Sequence, residues 1–188
     1  MREAYRIILE HIRKKENGQM RIAIDGRCAS GKTTLAALLQ KETDAVVFHM
    51  DDFFLRPDQR TKERLMQPGG NVDYERFTQE VLRPLERGGT FSWRPFSCKE
   101  MALSDPVSVT PGRLVIVEGS YSCHPALWDF YDLRVFLSVD PKEQLARIRK
   151  RNGEEALVNF KNRWIPLEEQ YFKAYRIRER CELAFEMR

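Results

Sequence analysis

Long apolar runs are missing from this sequence of 188 residues. No run approaches the roughly 18 apolar residues that a membrane span requires, and the stretch from Val46 to Met50 is interrupted by His49. The amino-terminal stretch mixes charges with its apolar residues and contains three glutamates, which excludes a secretory signal peptide and an acid-poor transit peptide. We therefore expect a cytoplasmic protein with no membrane partner.

Cysteine is scarce and unpatterned. The four cysteines are Cys28, Cys98, Cys123 and Cys181. They show neither CxxC spacing nor a neighbouring histidine cluster, so the pattern predicts neither a zinc site nor a disulfide framework. We expect free, reduced thiols.

A large excess of one charge is also absent. The formal net charge is +4, which is too small to predict a nucleic-acid partner. The excess lies in residues 142–188, which hold 12 basic and 8 acidic side chains and leave room for a local anion site. Glu154, Glu155, Glu168 and Glu169 interrupt this basic segment, which disfavours nucleic-acid binding.

Short apolar segments alternate with segments of helical periodicity, and the length fits one domain over residues 1–188. The predicted strands are 21–25, 45–50, 114–117 and 133–139. In chain order, the predicted helices are 3–16, 32–41, one that contains Phe77 to Leu85, 141–151 and most of 154–180. A break in the last helix is predicted at Trp164 to Pro166. This alternation predicts an α/β fold with a parallel sheet covered by helices on both faces. The helix within residues 1–18 is expected to pack on the domain, and the long loop from Thr90 to Pro111 suggests a functional flap.

The strongest motif lies between the first predicted strand and the next helix. It reads Gly26-Arg-Cys-Ala-Ser-Gly31-Lys32-Thr33, a complete GxxxxGK[ST] pattern. Its glycines let backbone N–H groups surround phosphate oxygens, and the helix aims its positive end at the same place. Lys32 is expected to bridge the β- and γ-phosphates in catalysis, and Thr33 to reach Mg²⁺. The residues predicted to bind ATP are Gly26, Cys28, Ala29, Ser30, Gly31, Lys32, Thr33 and Thr34. The alternative is a turn that only links strand to helix.

Carboxylates follow two other predicted strands. Glu118 ends one strand and is expected to organise the metal, unless it merely caps the strand at the surface. Asp51 and Asp52 follow another strand, where a kinase needs a carboxylate to accept the hydroxyl proton and help hold Mg²⁺. We prefer Asp51, because side chains alternate along an extended segment. The alternative for this pair is a solvated turn.

Two further sets of polar residues stand at helices. Asp73 precedes a helix, where its simplest role is the N-cap. Arg147 and Arg151 are four residues apart and share a helix face, which suits a clamp on the transferred phosphate. A solvated basic face is the alternative for the two arginines.

The segments IAIDGRCASGKTTLA, HMDDFF, NVDYERF, VIVEGSY and YDLRVFLSVDPKEQLARIRKR together resemble the uridine kinase and phosphoribulokinase family of P-loop kinases. The resemblance runs from about Arg21 to Arg151, and more weakly through FKNRWIPLEEQYF. It implies a P-loop NTPase fold of the nucleoside and nucleotide kinase type, with a carboxyl-terminal lid region at about 147–165. ATP and Mg²⁺ are the cofactors that it implies.

The resemblance also implies roles for individual residues. Asp51 corresponds to the catalytic base, Glu118 to the magnesium carboxylate, and Asp73 to the aspartate that holds ribose hydroxyls. Arg147 and Arg151 correspond to lid arginines that close over the phosphates. The residues predicted to contact the acceptor are Asp73, Tyr74, Arg94 and Tyr121, with Ser122 and His124 as further candidates; a structural role is the alternative for His124.

One segment departs from the family pattern. Uridine kinases read the pyrimidine with a proline-tyrosine-aspartate-phenylalanine segment and a following histidine, whereas this chain has Arg94-Pro95-Phe96-Ser97-Cys98-Lys99. The resemblance therefore implies a kinase whose acceptor is not uridine itself.

The sequence as a whole predicts an ATP-dependent kinase for a primary hydroxyl of a nucleoside-like or ribosyl small molecule. A kinase for pantothenate or a sugar is the nearest alternative. A nucleotide-hydrolysing switch or partner-binding ATPase is another, although the N-K-x-D and D-x-x-G patterns of GTPase switches do not occur. The oligomeric state is left open, a homo-oligomer included.

Overall fold

The computed structural model describes residues 1–187 and is built around a twisted parallel sheet. The strands are β1 (Met20–Gly26), β2 (Val46–His49), β3 (Phe91–Trp93), β4 (Phe96–Ser97), β5 (Ala102–Leu103), β6 (Val107–Val109), β7 (Leu114–Glu118), β8 (Leu133–Val139) and β9 (Leu183–Met187). Five of them form the central sheet in the order β2-β7-β1-β8-β9, and every neighbouring pair is parallel. The other four form two small antiparallel ribbons, β3 with β6 and β4 with β5.

Helices surround the sheet. They are α1 (Arg2–Lys14), α2 (Lys32–Thr43), α3 (Lys62–Met66), α4 (Tyr74–Phe77), α5 (Arg83–Arg87), α6 (Pro141–Asn159), α7 (Ile165–Tyr175) and α8 (Ile177–Arg180). Two π-helical segments, Thr78–Leu82 and Phe160–Trp164, join α4 to α5 and α6 to α7. Within residues 1–187, no helix combines the length and the apolar character needed to cross a bilayer.

Each face of the sheet has its own hydrophobic core. Successive side chains of a strand point to opposite faces, so Ile22 and Ile24 of β1 join the core that contains Leu35 of α2, whereas Ala23 joins the core that contains Phe48. Strands buried on both faces read as nearly continuous apolar runs. The predicted parallel sheet with helices on both faces is confirmed.

The amino-terminal helix packs on the domain as predicted. Ala4, Ile8 and Leu9 of α1 are buried, and α1 contributes to the same core as α2. The four cysteines are free in the structure.

The predicted break at Trp164 to Pro166 is wrong. The helical path continues through the π-helical segment into α7, because Pro166 lies in the first turn of α7, where its missing N–H is not needed. The interruption instead lies at Gly153, whose φ of 84° and ψ of 172° are non-helical. The fifth strand of the central sheet, β9, was not predicted; it is short, lies at the edge of the sheet and pairs with β8.

Candidate active site

The carboxyl ends of the central strands surround a cavity of about 890 Å³. The glycine-rich loop follows β1, Asp51 follows β2, and Glu118 ends β7. Parallel strands bring their carboxyl ends to one edge, where open α/β sheets bind ligands. Segments distant in sequence therefore converge on one site.

The glycine-rich loop is held tightly against β8. Gly26 has a φ of 132°, and a side chain there would place its Cβ 2.0 Å from the carbonyl oxygen of Leu137. The N–H of Arg27 donates to the same carbonyl at 3.1 Å. Gly26 is therefore required by both conformation and space.

The loop leaves its helix terminus open toward the cavity. Gly31 is the N-cap of α2 with a φ of 98°, no side chain caps the helix, and its first turn contains no acidic residue. The first N–H groups of α2 thus have no side-chain acceptor in residues 1–187, which suits a phosphate. Among the residues predicted to bind ATP, Cys28, Ala29, Gly31, Lys32, Thr33 and Thr34 line the cavity. Gly26 and Ser30 do not line the cavity, and both residues are buried.

Lys32 lies across the loop. Its Nζ donates to the carbonyl oxygens of Gly26 at 2.7 Å and Arg27 at 2.9 Å, and the residue is 8% exposed. These contacts hold the ammonium at the cavity wall beside the open end of α2. It is therefore placed to meet a phosphate bound by the N–H groups there.

Thr33, Glu118 and His49 form a connected group. The Thr33 hydroxyl donates to Glu118 Oε1 at 3.0 Å, and His49 Nδ1 lies 2.5 Å from the same oxygen. The hydrogen bond to Glu118 raises the pKa of His49 above its usual value. His49 was not predicted, although its position at the end of β2 was the signal available in the sequence.

Asp51 and Asp52 occupy different surroundings. Asp51 lines the cavity, and its carboxylate has no hydrogen-bond partner among residues 1–187. Asp52 does not line the cavity, and its carbonyl oxygen accepts from Arg76 at 2.8 Å. The Asp51 side chain is open to the cavity but surrounded by protein on its other sides, and this burial raises its pKa, while Lys32 lowers it.

A buried carboxylate from α7 reaches the glycine-rich loop. Glu168 accepts the N–H of Cys28 at 2.9 Å and the hydroxyl of Ser120 at 2.6 Å. Burial raises the pKa of Glu168. This contact was not predicted, because Glu168 is 140 residues from Cys28 in sequence and its segment reads as an ordinary charged helix.

Asp25 organises the loop that follows β7. Its carboxylate accepts the N–H groups of Gly26, Tyr121 and Cys123 and the hydroxyl of Tyr171. Burial raises the pKa of Asp25 to about 6. Asp25 was not singled out in the sequence, yet it ties the glycine-rich loop to this second loop.

The two predicted lid arginines line the cavity from α6. Arg147 donates to Glu143 at 2.8 Å and to the carbonyl oxygen of Ala29 at 3.3 Å, so it already touches the glycine-rich loop. Arg151 donates to Asn152 at 2.7 Å.

The predicted acceptor residues separate into two groups. Tyr121 is buried and lines the cavity. Tyr74 and Arg94 do not: Tyr74 stacks on His124 with ring centroids 4.1 Å apart, and Arg94 donates to carbonyl oxygens of its own loop. His124 also lies outside the cavity lining, where burial lowers its pKa to about 4 and its Nδ1 caps a short helix. At the tip of the predicted flap, Cys98 and Met101 do line the cavity.

Asp73 is the N-cap of α4. Its carboxylate accepts the N–H of Arg76 at 3.0 Å and the side-chain amide of Gln59 at 2.8 Å, and the residue is 2% exposed. It does not line the cavity in residues 1–187. Its binding of ribose hydroxyls stays a prediction.

Asp73→Ala is expected to lower the free energy of unfolding by about 1–3 kcal/mol, because it removes a cap and leaves buried donors unpaired. Asp140→Ala is the matched control, since Asp140 caps α6 through Lys142 and Glu143 at an exposed site and should cost about 1 kcal/mol. Denaturant unfolding measures both changes. An unchanged stability of Asp73→Ala, with activity lost on ribosides but not on 2′-deoxy analogues, would assign Asp73 to the acceptor instead.

Solved structures of similar fold are found, although no protein-family model matches the sequence. The chain is similar to a possible uridine kinase from Bacillus stearothermophilus, with a TM-score of 0.72 and 23% identity over 98% of both chains. It is also similar to the YGR205w protein, with a TM-score of 0.57 and 13% identity over 95% of this chain and 90% of that one. The chain therefore shares the α/β fold of the possible uridine kinase over nearly its whole length, as the sequence predicted.

Proposed function

We propose that this protein is an ATP-dependent kinase that phosphorylates a primary hydroxyl of a small molecule, a ribosyl or nucleoside-like compound. One observation carries the proposal: the open end of α2 with Lys32, and the unpartnered carboxylate of Asp51, line the same cavity. A phosphate donor at the first and a hydroxyl at the second would meet within it. A kinase for another small metabolite, such as pantothenate or a sugar, uses the same geometry.

The donor set suits magnesium. Thr33, Glu118 and Asp51 supply a hydroxyl and carboxylates at one edge of the cavity, and oxygen ligands are those that Mg²⁺ prefers. Within residues 1–187, no group of three or more His, Cys, Asp or Glu side chains gathers as a metal site. Mg²⁺ commonly binds through one or two carboxylates together with substrate phosphates. The ion would neutralise phosphate charge.

Each residue then has a distinct task. The N–H groups of the glycine-rich loop and α2 hold the phosphates, and Lys32 stabilises the charge that develops on them. Asp51 orients the acceptor hydroxyl and accepts its proton. The lid arginines neutralise the transferred phosphoryl group and, with the cavity wall, exclude water that would otherwise hydrolyse ATP.

A panel of hydroxyl compounds tests the proposal directly. Acceptor-dependent ADP release is measured for ribonucleosides, other ribosides, pantothenate and sugars, each with ATP and Mg²⁺. At least one acceptor should stimulate ADP release strongly. Uridine and cytidine should be no better than other ribosides, because Cys98 lines the cavity in the segment where uridine kinases carry their pyrimidine readers. ATP hydrolysis that responds to none of these compounds would support a nucleotide-hydrolysing switch instead.

Arg147→Ala and Arg151→Ala should lower kcat by roughly 10-fold or more and change the acceptor KM much less, because both charges act mainly on the transferred group. The matched control is Arg149→Ala on the same helix. Arg149 is exposed, pairs with Glu154 and does not line the cavity. Steady-state kinetics at saturating ATP measure the split. A rise in acceptor KM at unchanged kcat would show that the arginines bind the acceptor instead.

A further inference from the structure

Two arginines that the kinase mechanism leaves unused also line the cavity. Arg60 donates its Nε to the carbonyl oxygen of Leu55 at 2.9 Å, and its terminal nitrogens have no partner among residues 1–187. Arg163 makes no hydrogen bond or ion pair within that range, and its guanidinium lies 4.7 Å from the Trp164 ring centroid. Both therefore retain free donors.

The carboxylates of the cavity do not neutralise these arginines. Glu118 is engaged by Thr33 and His49, and Glu168 by Cys28 and Ser120. Of the three carboxylates that line the cavity, Asp51 alone has no partner within residues 1–187, and the proposed function assigns it to the acceptor hydroxyl. Lys32 and Arg147 contact the glycine-rich loop, and the proposed function assigns Arg151 to the transferred phosphate, so two positive charges remain for another anion.

Arg60 and Arg163 belong to the acceptor end of the cavity. Trp164 lies beside Phe54, with ring centroids 6.4 Å apart, and Phe54 is three residues beyond Asp51. Arg60 lies over Phe96, 5.7 Å from the ring centroid, in the segment that replaces the pyrimidine readers.

Cys98 lines the cavity together with Arg60 and Asp51. Burial raises the pKa of the Cys98 thiol, Arg60 lowers it and Asp51 raises it. The two free arginines and the proposed base thus surround one space, with aromatic rings on part of its wall.

We propose that the acceptor carries an anionic group, a carboxylate or a phosphate, in addition to the hydroxyl that is phosphorylated, and that Arg60 and Arg163 bind this group. The inference rests on the proposed function for the identity of the hydroxyl. Guanidinium groups bind carboxylates and phosphates through paired, charge-assisted hydrogen bonds. A neutral acceptor would leave both guanidinium groups without such partners.

Matched pairs of compounds test the proposal by titration calorimetry. The protein is first saturated with Mg²⁺ and a non-hydrolysable ATP analogue, so that the glycine-rich loop is filled. The carboxylate pairs are nicotinic acid riboside with nicotinamide riboside, pantothenate with pantothenyl alcohol, and glycerate with glycerol. Ribulose 5-phosphate with ribulose is the phosphate pair. In at least one pair, the anionic member should bind roughly 10-fold or more tightly than its neutral partner.

Charge-removing variants identify the residues. Arg163→Gln and Arg60→Gln should each reduce that preference by roughly 10-fold, whereas Arg60→Lys should retain part of it. Lys161→Gln is the matched control, because Lys161 is an exposed cation in the same π-helical segment as Arg163 and does not line the cavity. Arg163→Gln is not expected to disturb folding, because the Arg163 side chain makes no hydrogen bond within residues 1–187 that the substitution would break.

The outcomes separate this inference from the proposed function. Equal affinity within every pair, including no binding of either member, would overturn it, as would a preference that both glutamine variants preserve. A neutral acceptor phosphorylated faster than every anionic one would also overturn it while leaving the kinase proposal intact. Anion binding that depends on Arg60 and Arg163, without acceptor-dependent ADP release, would support the anion site and reject the kinase.

Discussion

Lys32→Ala should leave the protein folded and reduce kcat/KM by roughly 10²–10³-fold, the usual cost of one transition-state donor. Nζ contacts two loop carbonyls at the edge of the cavity, so its removal exposes them to solvent and opens no hole in either hydrophobic core. The ammonium is instead needed where negative charge develops on the transferred phosphate. Steady-state kinetics, with circular dichroism to verify folding, measure the effect.

Lys41→Ala is the control for this substitution. Lys41 lies on the same helix, α2, but at its exposed end, away from the cavity. The Lys41→Ala substitution removes the same type of side chain and the same charge from the same helix, and it should leave kcat/KM nearly unchanged. A folded Lys32→Ala variant with near-normal turnover would reject the assignment of the loop as the phosphate site.

Asp51→Asn should lower kcat by roughly 10²–10⁴-fold while ATP binding is retained, because the amide keeps the shape of the side chain but cannot accept the proton. Asp52→Asn is the matched control, with the same chemistry one residue away and outside the cavity lining. Single-turnover kinetics and nucleotide titration separate the chemical step from binding. A larger loss for Asp52→Asn would show that the neighbouring carboxylate is the base.

The same carboxylate should set the acid limb of the pH–rate profile. Burial raises the pKa of Asp51, so its active, ionised form is lost on acidification at a higher pH than for an ordinary aspartate. The value of kcat/KM, which reports the free enzyme, should therefore fall as pH falls through that raised pKa. In Lys32→Ala the limb should move to still higher pH, because the Lys32 charge lowers the pKa of Asp51. A limb that stays in place would argue that another group titrates.

Local sequence determined the half of this site that we propose to bind phosphate. A strand, a glycine-rich turn and a helix are consecutive in the chain, so the spacing of Gly26, Gly31, Lys32 and Thr33 is sufficient to build the loop. Apolar runs likewise determined four central strands, because segments buried on both faces of a sheet must be apolar throughout. Asp51 and Glu118 were predictable as carboxylates at strand ends, because each stands at the end of one of these apolar runs.

Only the tertiary structure decided which distant residues complete the cavity. Glu168 reaches Cys28 because α7 packs over the loop, and Arg60 and Arg163 line the same cavity from segments about 100 residues apart in sequence. β9 exists because β8 offers an open edge, and Asp73 caps α4 outside the cavity lining. These features depend on packing between elements that are distant in sequence. The types of the residues along the chain do not show how such elements pack.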